Sequence, residues 1–380
     1  MTGTAIQAID VWTVNVPLRT SFASSFETKA GTTRTVLRVR TSEGAEGWGE
    51  TMHGRPTAAL VERLRDEFLG MDGLATAEVA RRTAMVPFFH GYLGYCAVAG
   101  LEMALWDLAG RTSGRPLSLL LGGGTLDAIP VTGLLTRGDA GAGLAAADLP
   151  RALGEAGARI VSEGGFGALK LKGSPDAAFD VAVMGELRRA LPGVALRVDP
   201  NAAWSVPAAL RAARELEPLG LEYLEDPCSG LEGMARVRAS TRTPLCTNMC
   251  VVRLEELAPA VRMGAVDVVH ADVHKWGGIH ATVAMRAVCQ AFGLGVNLHS
   301  GGELGLSTAC HLQVASALGL GDFAADSMYP LLADDVVTEP IGLREGALAV
   351  PCGPGLGVEV DLDKLRHYAG RNAEEGDHTL

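Results

Sequence analysis

The 380-residue sequence lacks the segments that mark membrane, secreted and nucleic-acid-binding proteins. No apolar run reaches the ~18 residues needed to cross a bilayer. The first residues, MTGTAIQAID, have no basic-then-apolar signal pattern. Lys/Arg-rich runs are also missing, and the formal net charge is -11. We therefore expect a cytoplasmic protein that binds neither a membrane nor nucleic acid, and whose site for any anionic substrate is locally basic or holds a metal.

Paired cysteine motifs are missing as well. The seven cysteines are scattered and odd in number, which is typical of reduced thiols in a cytosolic enzyme. Cys246 and Cys250 are close in sequence but have no CxxC beside them, so the pattern disfavours zinc. A composition of 48% hydrophobic and 20% charged residues is that of a globular protein.

The first part of the chain predicts an α+β module over residues 1–125. A strand is expected at 5–18 and a hairpin over 33–51 that turns at Ser42-Glu43-Gly44. Helical periodicity follows at about 56–69, 76–86 and 92–112. Strands followed by helices, rather than alternating with them, indicate a separate α+β domain that caps the rest.

Residues 126–345 show a different pattern, in which short β-rich runs alternate with Ala/Leu/Arg-rich helical runs. Repeated strand–helix units predict a parallel sheet, and eight of them close most simply into a (β/α)8-type TIM barrel. Hairpin chemistry returns over 346–380, which we expect to rejoin the capping domain, and 371–380 is expected to fray. The predicted barrel strands are 130–135, 168–173, 196–201, 221–227, 243–249, 266–272, 295–300 and 323–326.

A polar side chain closes each of seven successive barrel strands. The spacing is 23 to 27 residues, about one βα unit each time, so these groups recur at the carboxyl ends of the strands. Barrel enzymes place their chemistry at that end. The seven residues are Lys172, Asp199, Glu225, Asn248, Asp272, His299 and Asp326.

Three of these residues predict a magnesium site. Alone, Asp199 could cap a turn, Glu225 could be a solvated strand end, and Asn248 could be a turn residue. Together they supply hard oxygen donors from three adjacent strands, which suits Mg²⁺. Asp226, beside Glu225, is expected to be the exposed carboxylate of the two.

His299 and Asp272 predict an acid/base pair. A carboxylate that accepts from one ring nitrogen fixes the tautomer, so the other nitrogen can move protons. A histidine alone is as often a hydrogen-bonded core residue. His270, His274 and His280 have no such partner in the sequence pattern and are expected to be structural.

Lys170 and Lys172 stand two positions apart on one buried strand and so share a face. Two like charges there need an anion to justify burial. A substrate carboxylate shared by the metal and Lys170 would provide it, and Lys172 would then serve as a base. The alternative is a pair of surface lysines on an edge strand.

With these residues in place, the chain resembles the enolase superfamily over essentially its whole length. The resemblance rests on Lys170-x-Lys172, Asp199-Pro-Asn201, Glu225-Asp226-Pro227, Asn248 and Asp272 with His299. It implies a capped barrel, one Mg²⁺ per subunit, and removal of the proton α to a carboxylate to give an ene-diolate.

The Asp–His dyad facing a KxK lysine is similar to the mandelate racemase subgroup. The segments CTNM, ADVHKWGGI and GLGVNLHSGGELGLS look like glucarate dehydratases, whose third metal ligand is also an asparagine. The resemblance implies a Mg²⁺-dependent acid-sugar (aldarate or aldonate) dehydratase, a hydro-lyase. His299 or Lys172 would take the α-proton, His299 would protonate the departing β-hydroxyl, and the enol would become a 2-keto-3-deoxy acid.

Two other functions remain open at this stage. A racemase or epimerase would use Lys172 and His299 as two bases on opposite faces of a carboxylic acid substrate. A carboxylate-binding barrel without activity is the non-enzymatic alternative, although intact polar residues on all the strands argue against it. In each case the partner is a small carboxylate, and a homo-oligomer is expected.

Substrate contacts are harder to assign from the sequence. Gly301 follows Ser300 where the resemblance leads us to expect asparagine, and the loop RTSFASSFETKAG does not match the one that glucarate dehydratases use. We expect residues 19–29 to close over the site. The candidate substrate-binding residues are Asn201, Ser300, Asp326, Arg19, Ser21 and Lys29.

Overall fold

The computed structural model describes residues 3–141 and 143–378. Its N-terminal part is a three-stranded antiparallel sheet in the order β1-β2-β3. The predicted hairpin at residues 42–44 is confirmed, with Gly44 at φ +85°, a conformation that glycine adopts without strain. The strands are β1 (Ile6–Ala23), β2 (Thr28–Thr41) and β3 (Glu46–Thr51).

The three predicted helices of this region are present, and they cover one face of the sheet. The long helix lies so close to β3 that a Cβ on Gly49 would stand 2.2 Å from the carbonyl oxygen of Gly100. Close helix–sheet packing therefore requires glycine on this strand. The helices are α1 (Gly54–Phe68), α2 (Ala77–Arg82), α3 (Val86–Ser113) and the single turn α4 (Leu117–Leu120).

A curled parallel sheet of seven strands follows, in the order β11-β10-β9-β8-β7-β6-β5. Its strands are buried on both faces, which explains their nearly continuous apolar sequences. The short strand β4 (Ala128–Pro130) precedes the sheet and lies outside it. The seven strands of the sheet are β5 (Gly133–Leu135), β6 (Ala168–Lys172), β7 (Ala195–Asp199), β8 (Tyr223–Glu225), β9 (Leu245–Thr247), β10 (Val268–Ala271) and β11 (Gly295–Leu298).

Helices connect these strands and surround the sheet. Loops, and after β10 a single helical turn, follow the carboxyl ends of the strands, where the polar side chains gather. The helices are α5 (Leu149–Gly164), α6 (Ala177–Ala190), α7 (Val206–Leu216), α8 (Leu231–Arg238), α9 (Leu254–Met263), α10 (Val273–Trp276), α11 (Ile279–Ala291) and α12 (Gly305–Leu318).

The eighth predicted strand, residues 323–326, is not a regular strand. The segment nevertheless fills the gap between β11 and the start of β5. Ala325 N donates to Pro130 O (2.7 Å), Thr132 N donates to Ala325 O (2.9 Å), and Asp326 N donates to Leu298 O (3.1 Å). These three bonds close the barrel and place Asp326 at the same end as the other strand-end polar groups.

The C-terminal residues contact both parts of the molecule. The hairpin β12 (Leu343–Arg344) and β13 (Ala347–Ala349) pairs with β4, and α13 (Leu362–Glu375) packs on β1. Asn372 Nδ2 donates to Asn15 Oδ1 at 2.9 Å. The expectation that 371–380 frays was therefore wrong as far as Glu375, while 379–380 lie outside the described residues. Among the described helices, none has the length and apolarity to cross a membrane.

Candidate active site

The carboxyl ends of the parallel strands bring the predicted polar residues together. Register places Lys172 directly beside Asp199 on the neighbouring strand, and their Nζ and Oδ2 atoms lie 2.6 Å apart. Lys170 points to the same face of the strand as Lys172. The alternating residues Leu169 and Leu171 point to the other face and pack in the apolar core. This alternation explains how a buried strand can carry two lysines.

Lys170 is the hub of a buried charge cluster. Its Nζ lies 2.5 Å from Glu225 Oε2, 2.5 Å from Asp326 Oδ2 and 3.4 Å from Asp199 Oδ2. Burial alone would lower the pKa of Lys170, but the carboxylates of Asp326, Glu225 and Asp199 outweigh burial and raise it well above the ordinary value. Lys170 is therefore a permanent cation rather than a base.

Asp199, Glu225 and Asn248 converge around this cluster. Glu225 Oε1 accepts from Asn248 Nδ2, and all three residues are buried. Burial would raise the pKa of Glu225, but His270 and Lys170 lower it well below its usual range. The carboxylate of Glu225 is therefore charged and available to a cation.

The donor set fits Mg²⁺ better than a softer metal. Glu225, Cys246 and His270 also lie within 4.8 Å of one another, but burial raises the pKa of the Cys246 thiol well above normal, so it stays protonated and is a poor ligand. The oxygens of Asp199, Glu225 and Asn248 are the hard donors that Mg²⁺ prefers.

A second cluster, Asp272, His274 and His311, is a poor cation site. The guanidinium of Arg34 lies 2.9 Å from His274 Nε2 and would repel a metal ion there. Asp272 is also fully occupied, since one oxygen caps α10 and the other contacts His299.

Asp272 and His299 form the expected pair. His299 Nδ1 lies 2.7 Å from Asp272 Oδ2, and Asp272 Oδ1 accepts from the backbone of His274 at 2.9 Å. Burial and Lys275 lower the pKa of His299 to about 4, although Asp272 opposes them. Burial would raise the pKa of Asp272, but the hydrogen bond from His299 lowers it well below normal. A neutral imidazole with Nδ1–H on Asp272 leaves Nε2 as a proton acceptor.

One cavity joins these groups to the N-terminal sheet. Its volume is about 240 Å³, slightly below the usual ~300–1,000 Å³ range of ligand pockets, which suits a small substrate. Lys172 and His299 both line it at the barrel end. The β1–β2 hairpin also lines it, through Phe22, Ser24, Phe26, Glu27 and Lys29.

The structure brings only some of the expected substrate contacts to this cavity. Asn201, Ser300 and Lys29 line it, and Asn201 Oδ1 is a buried acceptor without a partner among the described residues. Arg19 and Ser21 do not line it: both are exposed, and Arg19 Nε donates to Leu332 O.

Two expectations about carboxylates need correction. Asp326 does not line the cavity, because its oxygens face Lys170 at 2.5 Å and Arg197 at 3.5 Å beneath it. Asp326 therefore holds Lys170 in place rather than contacting a ligand there. Asp226 is fully buried instead of exposed, since it accepts from Thr247 Oγ1 and from Asn248 N.

Lys275 and Arg34 were missed by the sequence reading. Lys275 Nζ donates to Asn248 Oδ1 at 2.7 Å and lines the cavity, and its position three residues after Asp272 in a one-turn helix was the available signal. Arg34, fully buried on β2, contacts Glu50 at 2.7 Å and reaches the barrel through His274. Nothing in a β-strand pattern marks an arginine that crosses between domains.

Comparison with known proteins agrees with this geometry. The mandelate racemase/muconate lactonizing enzyme N-terminal domain matches residues 5–122, and the enolase C-terminal domain-like family matches 152–364. A probable glucarate dehydratase of Streptomyces coelicolor is 39% identical, covering 92% of this chain and 87% of that protein.

Solved structures are similar over nearly the whole chain. An enolase of Streptomyces coelicolor described as a putative sugar isomerase has a TM-score of 0.97 at 58% identity, covering 99% of this chain and 100% of that one. An enolase of Thermobispora bispora complexed with magnesium and formate has a TM-score of 0.89 at 32% identity, covering 99% and 95%. The chain therefore belongs to the enolase superfamily, in the mandelate racemase/muconate lactonizing enzyme group.

Proposed function

We propose that this enzyme is a Mg²⁺-dependent acid-sugar dehydratase, a hydro-lyase that converts a hydroxylated carboxylic acid into a 2-keto-3-deoxy acid. The observation that carries the proposal is one small cavity in which His299, held by Asp272, and Lys172 both face the same space. The similarity to a probable glucarate dehydratase supports the same reaction class.

Asp199, Glu225 and Asn248 are the residues that would hold the metal. When bound there, Mg²⁺ supplies Lewis-acid polarisation of a substrate carboxylate, which acidifies the neighbouring C–H bond. The magnesium in the Thermobispora bispora relative supports this choice of ion.

Lys170 contributes fixed positive charge beside the carboxylate end of the substrate. Lys170 stays protonated because three carboxylates surround it, so its part is electrostatic stabilisation of negative charge that develops on the substrate. Lys172 lines the cavity and is placed to take or return a proton.

His299 is the group best placed to act first as base and then as acid. Its Nε2 accepts the proton from the carbon next to the carboxylate, and Asp272 stabilises the resulting imidazolium. The same proton then goes to the departing β-hydroxyl, so that water leaves. Asn201 Oδ1, a buried acceptor in the cavity, can orient a substrate hydroxyl.

An epimerase or racemase is the second candidate. It is favoured by the presence of two proton-transfer groups, Lys172 and His299, in one cavity and by the relative described as a putative sugar isomerase. Such an enzyme would remove the α-proton with one residue and return a proton with the other, without losing a hydroxyl.

Incubation of acid sugars with the enzyme and Mg²⁺ in D₂O separates the two reactions. A dehydratase forms a keto acid that reacts with semicarbazide, and turnover stops with EDTA. An epimerase instead yields a substrate-sized product with deuterium at an inverted α-carbon. The dehydratase proposal is wrong if a broad panel of mono- and diacid sugars gives only the epimerised product or gives neither product.

A further inference from the structure

The part of the cavity that the β1–β2 hairpin lines, here called the hairpin end, contains an ion pair. Lys29 Nζ lies 3.3 Å from Glu27 Oε1, and the two side chains are only 6% and 18% exposed. Both residues line the cavity together with Ser24 and Phe26. Any substrate that fills the space must meet this pair.

Charge at this end is already compensated. The second cation nearby, Arg34, is bound to Glu50 at 2.7 Å. A third carboxylate, Glu303, is buried, and although burial opposes it, His311 and Arg34 lower its pKa to about 2, so it is ionised. Three carboxylates, Glu27, Glu50 and Glu303, thus face two cations, Lys29 and Arg34.

The barrel end differs through its proposed metal site. Lys170 and Lys172 there are paired with carboxylates, but the oxygens of Asp199, Glu225 and Asn248 would also hold a divalent cation. With that cation bound, one substrate carboxylate would find a positive partner at the barrel end. A second carboxylate at the hairpin end would be buried next to Glu27, where Lys29 and Arg34 already have carboxylate partners, which is strongly unfavourable.

Uncharged hydroxyl groups suit the hairpin end. The Lys29 ammonium donates hydrogen bonds and the Glu27 carboxylate accepts them. The pair can therefore donate to a substrate hydroxyl and also accept from it. The walls add apolar surface from Phe22, Met52 and Tyr92, against which the C–H faces of a sugar chain can pack.

We infer that the Glu27–Lys29 pair selects an acid sugar with one carboxylate and an uncharged, hydroxylated tail, an aldonate rather than an aldarate. The inference rests on the proposed function and goes beyond it by naming the substrate class. It also makes Glu27 a specificity-determining residue that excludes diacids by charge.

The test compares acids that share their chain stereochemistry and differ only at the terminal carbon. The pairs are gluconate with glucarate, galactonate with galactarate, and mannonate with mannarate, each with Mg²⁺. Keto-acid formation gives kcat/KM on the full-length enzyme, and calorimetry on the His299→Asn variant gives Kd. All measurements are made at one pH, pH 8, so that the acids of a pair are compared under identical conditions.

We expect at least one monoacid to be preferred over its matched diacid by about 100-fold, because the diacid must bury an unpaired charge. Glu27→Gln leaves Lys29 without its carboxylate partner. It should raise kcat/KM for the diacid and so lower the ratio of monoacid to diacid kcat/KM about tenfold or more. Lys29→Met should weaken binding of the monoacid and should not lower the preference for monoacid over diacid. Glu43→Gln, an exposed change in the neighbouring β2–β3 turn, is the control and should leave it unchanged.

The inference is overturned if no monoacid exceeds its matched diacid, if no monoacid binds, or if Glu27→Gln leaves the ratio of the preferred pair unaltered. Failure of the proposed function looks different. In that case no acid yields a keto acid, while the binding ratio still decides whether the hairpin end selects a single charge.

Discussion

Asp272 Oδ2 accepts from His299 Nδ1 at 2.7 Å while its other oxygen caps the one-turn helix α10. A carboxylate held by helix backbone cannot rotate away, so the imidazole plane is fixed as well. The same arrangement keeps the acceptor nitrogen directed into the cavity. The dyad is thus built by local backbone geometry at one strand end and not by a mobile loop.

His299→Asn should reduce turnover about 100-fold or more, because it removes the group proposed to carry the proton. The protein should stay folded, as circular dichroism and the melting temperature would verify. His367→Asn, at an exposed position on α13, is the matched control and should behave as the parent enzyme. Near-normal rates in the His299 variant would remove this residue from the reaction.

Lys172→Ala should lower turnover by a similar factor of about 100 if the ammonium takes part in proton transfer or charge stabilisation. Steady-state kinetics with saturating Mg²⁺ provide the measurement. A change confined to KM, with kcat intact, would instead indicate that Lys172 only binds the substrate.

Glu225→Gln should weaken Mg²⁺ binding, because a neutral amide oxygen replaces one of two ligating carboxylates. Calorimetric titration with Mg²⁺ in the absence of substrate measures this directly. Glu232→Gln, exposed at the start of α8, should bind the ion as the parent does. An unchanged titration for the Glu225 variant would show that the ion lies elsewhere.

Lys170→Met should destabilise the protein by about 3–5 kcal/mol, because Glu225, Asp326 and Asp199 would lose their buried counter-ion. Urea unfolding gives the value, and added Mg²⁺ should restore part of it. Lys364→Met removes a partly exposed pair with Asp334 and should cost less than about 1 kcal/mol. Equal effects of the two changes would contradict the role of Lys170 as a hub.

The pKa of His299, lowered to about 4 by burial and Lys275, has a defined consequence for pH. Activity that needs the neutral imidazole should persist as pH falls through ~6.5 and decline only towards about 4. An unfolded chain takes up this proton near ~6.5, so the contribution of His299 to stability is lost between ~6.5 and about 4. Lys275→Met should move the acid limb of kcat/KM to higher pH, and an unmoved limb would contradict this.

The architecture of the barrel end could be predicted from the sequence because its signal is periodic. Side chains such as Asp199, Glu225 and His299 recur once per βα unit, and parallel strands force them to one edge. The eighth unit was predicted as a strand but is irregular, since residues 323–326 make two backbone bonds on the side of β4 and β5 and one to β11, which is too few for a ladder. Its polar residue, Asp326, nevertheless lies at the carboxyl ends of the strands, as predicted.

Contacts made by tertiary packing could not be predicted. Asp226 was expected to be the exposed carboxylate of the Glu225–Asp226 pair, yet it is buried and accepts hydrogen bonds from Thr247 and from the backbone of Asn248. Arg19 and Ser21 were placed in the cavity on loop position alone, although β1 extends to Ala23 and turns both of them outwards.

The buried link from Arg34 to His274 limits how this enzyme can be redesigned. Glu50 on β3, which binds Arg34 on β2, also accepts hydrogen bonds from the backbone of Leu304 and Ser307 in the barrel. Together with the contact from Arg34 to His274, these bonds connect strands β2 and β3 to the barrel. A chimera that exchanges the entire N-terminal module must carry an equivalent arginine and glutamate or leave those barrel donors unsatisfied. Grafting only the hairpin tip avoids the problem, which makes the tip the natural place to engineer new specificity.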